Sequence, residues 1–225
     1  MNFKNFALVG ASSEVAIEFS KLLHKKKLNQ ILVTSNKNLR SENINSLLVK
    51  DYLDEVREIG DFLKDYDNLV VIFFNGYLAE NRDLKIPTYE EIKKTQEINF
   101  LVPYFLTSIL KNNLPHKTKF IFMSSMAATK LRYKNYIYGM TKRNLENSIK
   151  KLNLQDYLIF RFGKITTKMS EGHKNPPFMV SAEEASRIIF SNLNKKKIFY
   201  PRIGLKIIAG VLKITPQKLI DFLKY

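Results

Sequence analysis

Phe6-Ala-Leu-Val-Gly-Ala-Ser-Ser-Glu-Val-Ala16 reads as a buried strand, a turn opened by Gly10 and the start of a helix. Val15, Phe19, Leu22 and Leu23 then recur on one face of that helix. The unit repeats along the chain. Ile31-Leu-Val-Thr34 and Ser46-Leu-Leu-Val49 read as the second and third strands. Leu69-Val-Val-Ile-Phe-Phe74 reads as the fourth, ended by the turn signal Asn75-Gly76. Phe120-Ile-Phe-Met123, Tyr157-Leu-Ile-Phe160 and Ile198-Phe-Tyr200 supply three more, with helical patterns over 90–110 and 136–152. These strands are continuously apolar rather than alternating, which implies a parallel sheet covered on both faces.

The expected fold is therefore α/β, a single-domain Rossmann-type doubly wound parallel sheet of about seven strands with helices on both faces. It should occupy residues 1–201, with 202–225 a basic amphipathic helical extension of the same domain. Ligands of such sheets lie beyond the carboxyl ends of the strands. The polar positions that end these strands are Gly10-Ala-Ser-Ser13, Ser35-Asn-Lys37, Asp51, Asn75-Gly76, Ser124-Ser125 and Gly163. They should line one edge.

The first of these turns has two readings. Gly10 permits a tight turn and close backbone approach, and the helix amides around Ser12, Ser13 and Val15 can receive a pyrophosphate. Only one of the three glycines of a dinucleotide loop is present, since Glu14 and Ala16 hold the later positions. The other reading is a helix capped by Ser13, with Glu14 favourable to its dipole. After the second strand no carboxylate is available to a ribose 2′-hydroxyl, whereas Ser35, Asn36 and Lys37 can all donate. That favours NADP(H) over NAD(H). Asp51 can accept from an adenine amine or cap a helix.

Tyr138-Gly-Met-Thr-Lys142 carries the candidate chemistry. A phenol and an ammonium at i and i+4 share one helix face. A free phenol has a pKa near 10, and a neighbouring cation should bring it toward working pH for acid catalysis. Ser125, thirteen residues upstream, could hold a carbonyl oxygen beside the phenol, and Asn99 precedes both. The spacing recurs at Tyr89 and Lys93, but there the position thirteen upstream is Gly76. That pair lacks a hydroxyl partner and reads as a solvated helix face.

Composition narrows the alternatives. The chain has 225 residues and no cysteine, which excludes disulfides and thiolate chemistry. His24, His116 and His173 have no ligand spacing, so no metal is expected. The N-terminus lacks a signal-peptide apolar core and no run is long enough to span a bilayer, so a cytoplasmic location is expected. The net charge of +16 comes without zinc-finger, helix-turn-helix or aromatic RNA-binding signatures, so no nucleic-acid partner is expected. Most of the charge reads as solvated surface. The exception is Asn194 to Tyr225, with eight Lys/Arg against one acid. There Leu205, Ile207, Ile208, Val211, Leu212 and Ile214 interleave with Lys206 and Lys213, and Lys218 and Lys224 follow. Such a segment can lie at an anionic membrane surface or pack on protein.

Taken together, the chain resembles the short-chain dehydrogenase/reductase family over nearly its whole length. The resemblance rests on Gly10 with Ser12 and Ser13, Asp51, Asn75-Gly76, Asn99 in Ile98-Asn-Phe100, Ser125 in Met123-Ser-Ser125, and Tyr138 with Lys142. Phe162-Gly-Lys-Ile-Thr-Thr-Lys-Met169 is similar to the family's Pro-Gly-x-Val-x-Thr-x-Met segment. It implies an NAD(P)H-dependent reduction of a ketone with Tyr138 as acid/base and Ser125 orienting the carbonyl. Lys142 would hold the nicotinamide ribose and depress the Tyr138 pKa, and Asn99 would keep a relay water. Ile165 to Thr167 would bind the carboxamide; the lesser readings are an N-cap for Thr167 and, for Asn99, a side chain bonding backbone within its own helix. Phe162 departs from the usual proline, and Phe73-Phe74-Asn75 from Asn-Asn-Ala.

The Ser-Ser-Glu-Val-Ala loop, Arg161 to Met169 and Lys195-Lys-Lys-Ile-Phe-Tyr-Pro201 resemble the reductases of polyprenyl-phosphate-linked 2-keto-pentoses. That implies a lipid-linked keto sugar substrate for envelope polysaccharide and, for the family, a homo-dimer or tetramer through the helices bearing Asn99 and Tyr138. The alternatives are another carbonyl substrate, with the choice resting on the loop from Met169 to Val180, or a non-catalytic NADP-binding protein.

Overall fold

The computed structural model describes residues 3–36, 44–79, 87–115, 117–171 and 175–222. Lys37, His116, His173 and Lys224, named above, lie outside them. In chain order the strands are β1 (Asn5–Val9), β2 (Asn29–Thr34), β3 (Asn45–Leu48), β4 (Leu69–Phe73), β5 (Lys119–Ser125), β6 (Tyr157–Phe162), β7 (Ile165–Thr166), β8 (Val180–Ser181) and β9 (Lys197–Phe199). The helices are α1 (Glu14–Lys25), α2 (Val56–Leu63), α3 (Tyr89–Gln96), α4 (Val102–Asn113), α5 (Tyr136–Lys151), α6 (Ala182–Ser191), α7 (Ile203–Ile214) and α8 (Gln217–Phe222).

Seven strands form one parallel sheet in the order β3-β2-β1-β4-β5-β6-β9. This is the expected doubly wound arrangement. Apolar side chains leave the sheet on both faces. Val9, Val33, Val71 and Phe122 pack under α2, α4 and α5, through Ile59, Leu106 and Leu145. Leu8, Leu32, Ile72 and Ile121 pack under α1 and α6, through Phe19 and Ile189. Strands buried on both faces need no polar alternation, which accounts for their continuous apolar runs. The two sequence departures belong to this packing. Phe162 stacks on Phe160 at 5.6 Å and Phe74 meets Phe19 at 5.8 Å, all four in the core beneath α1 and α6.

Two features differ from the sequence reading. The helix expected over 90–110 is broken by a π-helical turn at Glu97–Leu101. Pro103 lacks the amide that would close an α-helical bond to the carbonyl of Asn99, so the regular ladder fails there. The short β7–β8 ladder was not foreseen. It joins Ile165 to Val180 and Thr166 to Ser181, tying the segment after β6 to the N-terminus of α6. Runs of two residues carry too little pattern to be read as strands.

The order of the sheet reverses between β1 and β4, where Val9 lies opposite Phe73. A crevice opens at such a switch point. Gly10 and Asn75 sit at its mouth.

Candidate active site

The crevice is built around Gly10. Its φ is +78°, and a Cβ there would stand 2.8 Å from the amide nitrogen of Asn75. Only glycine allows the end of β1 to pass so close to the end of β4. The amides of Gly10 and Ala11 both donate to the Val33 carbonyl, at 3.0 and 3.3 Å, which holds the turn against β2. Ser13 then caps α1, its Oγ accepting from the Ala16 amide at 3.2 Å. The capping reading and the anion-site reading are thus compatible, because the amides before Ala16 are not used by that cap. Ser12 is exposed, and Val15 is buried in the core through its side chain.

Around the same mouth, Ser35 and Asn36 are exposed, and the Asn36 amide donates to Thr34 Oγ1 at 3.0 Å. Asp51 Oδ1 accepts from the amides of Leu53 and Asp54, at 2.6 and 3.1 Å, so this oxygen caps the turn before α2. Tyr52, which the sequence did not single out, brings its hydroxyl among Ser35, Gly10 and Asn75. Burial raises its pKa, and those hydrogen bonds oppose the rise. Nothing in its sequence context marks it beyond its place after Asp51.

The residues at the mouth suit a dinucleotide. The glycine cradle leaves no room for a side chain, an open helix N-terminus faces the turn, and Asn75 Oδ1 is buried with no partner among the described residues. A buried, unpaired acceptor is costly and calls for a donor from a ligand or water. Met169 covers Gly76, whose Cβ would lie 3.2 Å from the Met169 methyl. The Lys168 amide donates to Glu14 Oε1 at 2.7 Å, joining the segment from Ile165 to Ser170 to the start of α1. Thr167 is the N-cap residue of the short turn Lys168–Ser170.

Deeper in, the last three residues of β5 meet three successive turns of α5. Ser125 hydrogen-bonds the Tyr138 hydroxyl. Lys142 Nζ donates to the Met123 carbonyl at 3.0 Å. Ser124 Oγ donates to Glu146 Oε1 at 2.6 Å. Residues 138, 142 and 146 share one helix face, so a single rotation of α5 sets all three contacts. Gly139 permits the approach, because a Cβ there would lie 2.9 Å from the Ala127 carbonyl oxygen just past Ser125. Arg143 Nε fixes the same turn by donating to the Ala128 carbonyl at 2.9 Å.

Glu146 is clamped in turn by Arg161, whose Nη2 and Nε both reach the carboxylate. Arg161 lies opposite Ser124 in the sheet and also donates to Thr129 Oγ1 and the Tyr200 hydroxyl, at 3.2 and 2.6 Å. The sequence reading missed Glu146, Arg161 and Gly139. The i+4 spacing of Glu146 from Lys142 was the one available signal.

Electrostatics alter one expectation. Burial pushes the Tyr138 phenol up to about 12, with the Ser125 hydrogen bond working in the other direction. The proximity of Lys142 was expected to lower it. Its ammonium instead stands 5.8 Å from the ring centroid and points to a carbonyl, and desolvation prevails. Burial pulls Lys142 down from 10.5 to about 8, opposed by the Glu146 carboxylate. Asn99, fully buried in the π turn, clamps the strand-β4 loop rather than its own helix: Oδ1 accepts from the Tyr77 amide at 3.1 Å, and Nδ2 donates to the Tyr77 carbonyl at 2.6 Å. Among the described residues no cluster of His, Asp or Glu could hold a metal ion, and no helix is long and apolar enough to cross a membrane.

No known protein-family profile matches the sequence. Solved structures do match the fold. A short-chain dehydrogenase from Burkholderia cenocepacia J2315 in complex with NADP superposes with a TM-score of 0.84 at 15% identity, covering 97% of each chain. A short-chain dehydrogenase from Sphingobium yanoikuyae in complex with NADPH gives 0.71 at 14% identity, covering 95% of this chain and 96% of the other. The ligand-free aldohexose dehydrogenase of Thermoplasma acidophilum gives 0.72 at 13% identity, covering 91% and 94%. At these identities the likeness establishes the Rossmann-type fold over nearly the whole chain.

Proposed function

We propose that this protein is a short-chain dehydrogenase/reductase that reduces a ketone to a secondary alcohol with NADP(H). The observation that carries the reading is the meeting of Ser125, at the end of β5, with Tyr138 and Lys142 of α5. The similar structures in complex with NADP and NADPH support the cofactor class, as does the absence of a carboxylate at Ser35 and Asn36.

The cofactor, when bound, supplies the hydride. Gly10 and the turn from Ser12 to Val15 would hold its pyrophosphate, the Ser13 amide being already given to the Gly10 carbonyl at 3.1 Å, and Asn75 Oδ1 would accept from its adenosine half. Ser35, Asn36 and Lys37 would receive the 2′-phosphate. Lys142, which donates to the Met123 carbonyl at 3.0 Å, would turn to the ribose hydroxyls, and Ile165 to Thr167 would meet the carboxamide. Ser125 Oγ donates to the substrate carbonyl oxygen and orients it. Tyr138 Oη, kept protonated at neutral pH by its burial, delivers its proton to that oxygen as charge develops. Asn99 fixes the Tyr77 loop and keeps a water within reach of Lys142, through which the phenol is reprotonated.

For substrate, the reading is a keto sugar carried on a polyprenyl phosphate, supported by the resemblance of Arg161 to Met169 and of the basic tail. Assembly as a dimer or tetramer through the helices bearing Asn99 and Tyr138 is supported by exposed Leu101, Phe105 and Tyr136 on those helices. NADPH oxidation tested over prenyl-linked and nucleotide-linked keto sugars decides the substrate. Faster turnover of a nucleotide-linked ketone would replace the lipid-linked reading, and inactivity on every ketone, with NADPH bound, would refute the reductase.

A further inference from the structure

Helix α7 is apolar on two opposite sides. One side packs inward: Leu205 and Ala209 are buried, and Leu205 lies 3.4 Å from a Cβ placed on Gly163. The other side faces water. Ile203, Ile207, Val211 and Ile214 form one stripe along it and are 81%, 63%, 55% and 83% exposed. A helix on a globular surface ordinarily turns polar residues outward. Four branched aliphatic side chains in a row there mark a contact surface. Lys206 and Lys213 both lie along one edge of the stripe, about a quarter-turn from its centre.

The helix is also fastened to the loops beside the candidate active site. From the loop after Ser125, Lys130 Nζ donates to the Thr215 carbonyl at 2.8 Å, and the Leu131 carbonyl accepts from Gln217 Nε2 of α8 at 3.0 Å. The Phe178 ring lies on Gly204, where a Cβ would come within 2.2 Å of it. Phe178 and Met179, themselves exposed, extend the apolar surface into the loop that follows Met169.

We propose that the outer face of α7 docks on a bilayer containing anionic phospholipid and brings the mouth of the site to the lipid–water boundary. Charge selects this occupant. From Asn194 to Tyr225 the one acid is Asp221, which accepts from Gln217, against eight Lys/Arg, of which Arg202 is paired with Glu184. A second copy packed antiparallel on this face would set Lys206 and Lys213 beside their own counterparts. An anionic lipid surface answers the lysines and accepts a convex apolar helix without shape matching.

The test is flotation of the full-length protein with phosphatidylglycerol/phosphatidylcholine vesicles against phosphatidylcholine alone. It needs no turnover, so its outcome is separable from that of the reductase reading. The wild type should bind the anionic vesicles at least about tenfold better than the neutral ones. Ile207→Asp combined with Ile214→Asp, both at exposed positions, should lose about tenfold or more at unchanged thermal stability. If those changes unfold the protein, Lys206→Gln with Lys213→Gln must show a loss of similar size. Absence of flotation with anionic vesicles, equal flotation of the variants, or a dimer in light scattering that these changes dissociate would overturn the proposal.

Discussion

Tyr138–Lys142 and Tyr89–Lys93 have the same spacing on helices of the same chain, yet the fold treats them differently. Tyr89 is the first residue of α3 and is 74% exposed, beside an exposed Lys93. That helix start is organised by Thr88 and Glu91, which cap each other's backbone amides. Tyr138 has no such cap to serve. Its helix lies against the end of β5, Gly139 lets it approach, and Ser125 meets its hydroxyl. The i, i+4 spacing makes two side chains neighbours. Chemistry requires a third element that removes them from water and aims them, and of the two pairs Tyr138–Lys142 has one.

The two pairs should differ most at their lysines. Lys142→Ala should lower kcat by about 10²–10⁴-fold while leaving a folded protein, and Lys93→Ala should leave it unchanged. Steady-state NADPH oxidation reads both, and comparable losses in the two variants would erase the distinction. Next comes the approach of the helix. Gly139→Ala must push α5 away from the Ala127 carbonyl, and a displacement of about 1 Å should cost up to about a hundredfold in kcat with native-like circular dichroism.

The smaller effects concern pH. Lys142 should be the group titrating near working pH, so the reduction rate should fall as pH rises past about 8. Glu146→Gln removes the carboxylate that raises this pKa, and the fall should begin at lower pH. An unmoved inflection would remove Glu146 from the electrostatics of the site. The same shift bears on stability. Between the folded value of about 8 and the unfolded 10.5, the unfolded chain holds the proton that the folded one has released. Stability should therefore gain a positive slope across that window, and Lys142→Met should abolish it in melts taken at intervals of pH.

Much of this was legible in the residues themselves. Runs such as Leu69 to Phe74 announce a strand buried on both faces, and Gly10, Asn75-Gly76 and Ser125 mark where strands end, so the sheet edge could be assembled in advance. Three things could not. The π turn at Asn99 arises from Pro103 meeting a helix that continues past it, a contest that periodicity does not display. The Glu146–Arg161 clamp joins residues fifteen apart across a helix and a strand, and either alone reads as an ordinary surface charge. The Tyr138 pKa depends on how much water the fold removes. A neighbouring ammonium suggested the wrong direction because desolvation outweighs it.

The reductase account stands on Tyr138 as the proton donor. The direct test is NADPH oxidation by Tyr138→Phe beside Tyr89→Phe, on any ketone the wild type turns over, with NADPH affinity measured in parallel. Tyr138→Phe should bind the cofactor and lose at least about a hundredfold in kcat, while Tyr89→Phe matches the wild type. A Tyr138→Phe protein that keeps near-normal turnover would contradict the account.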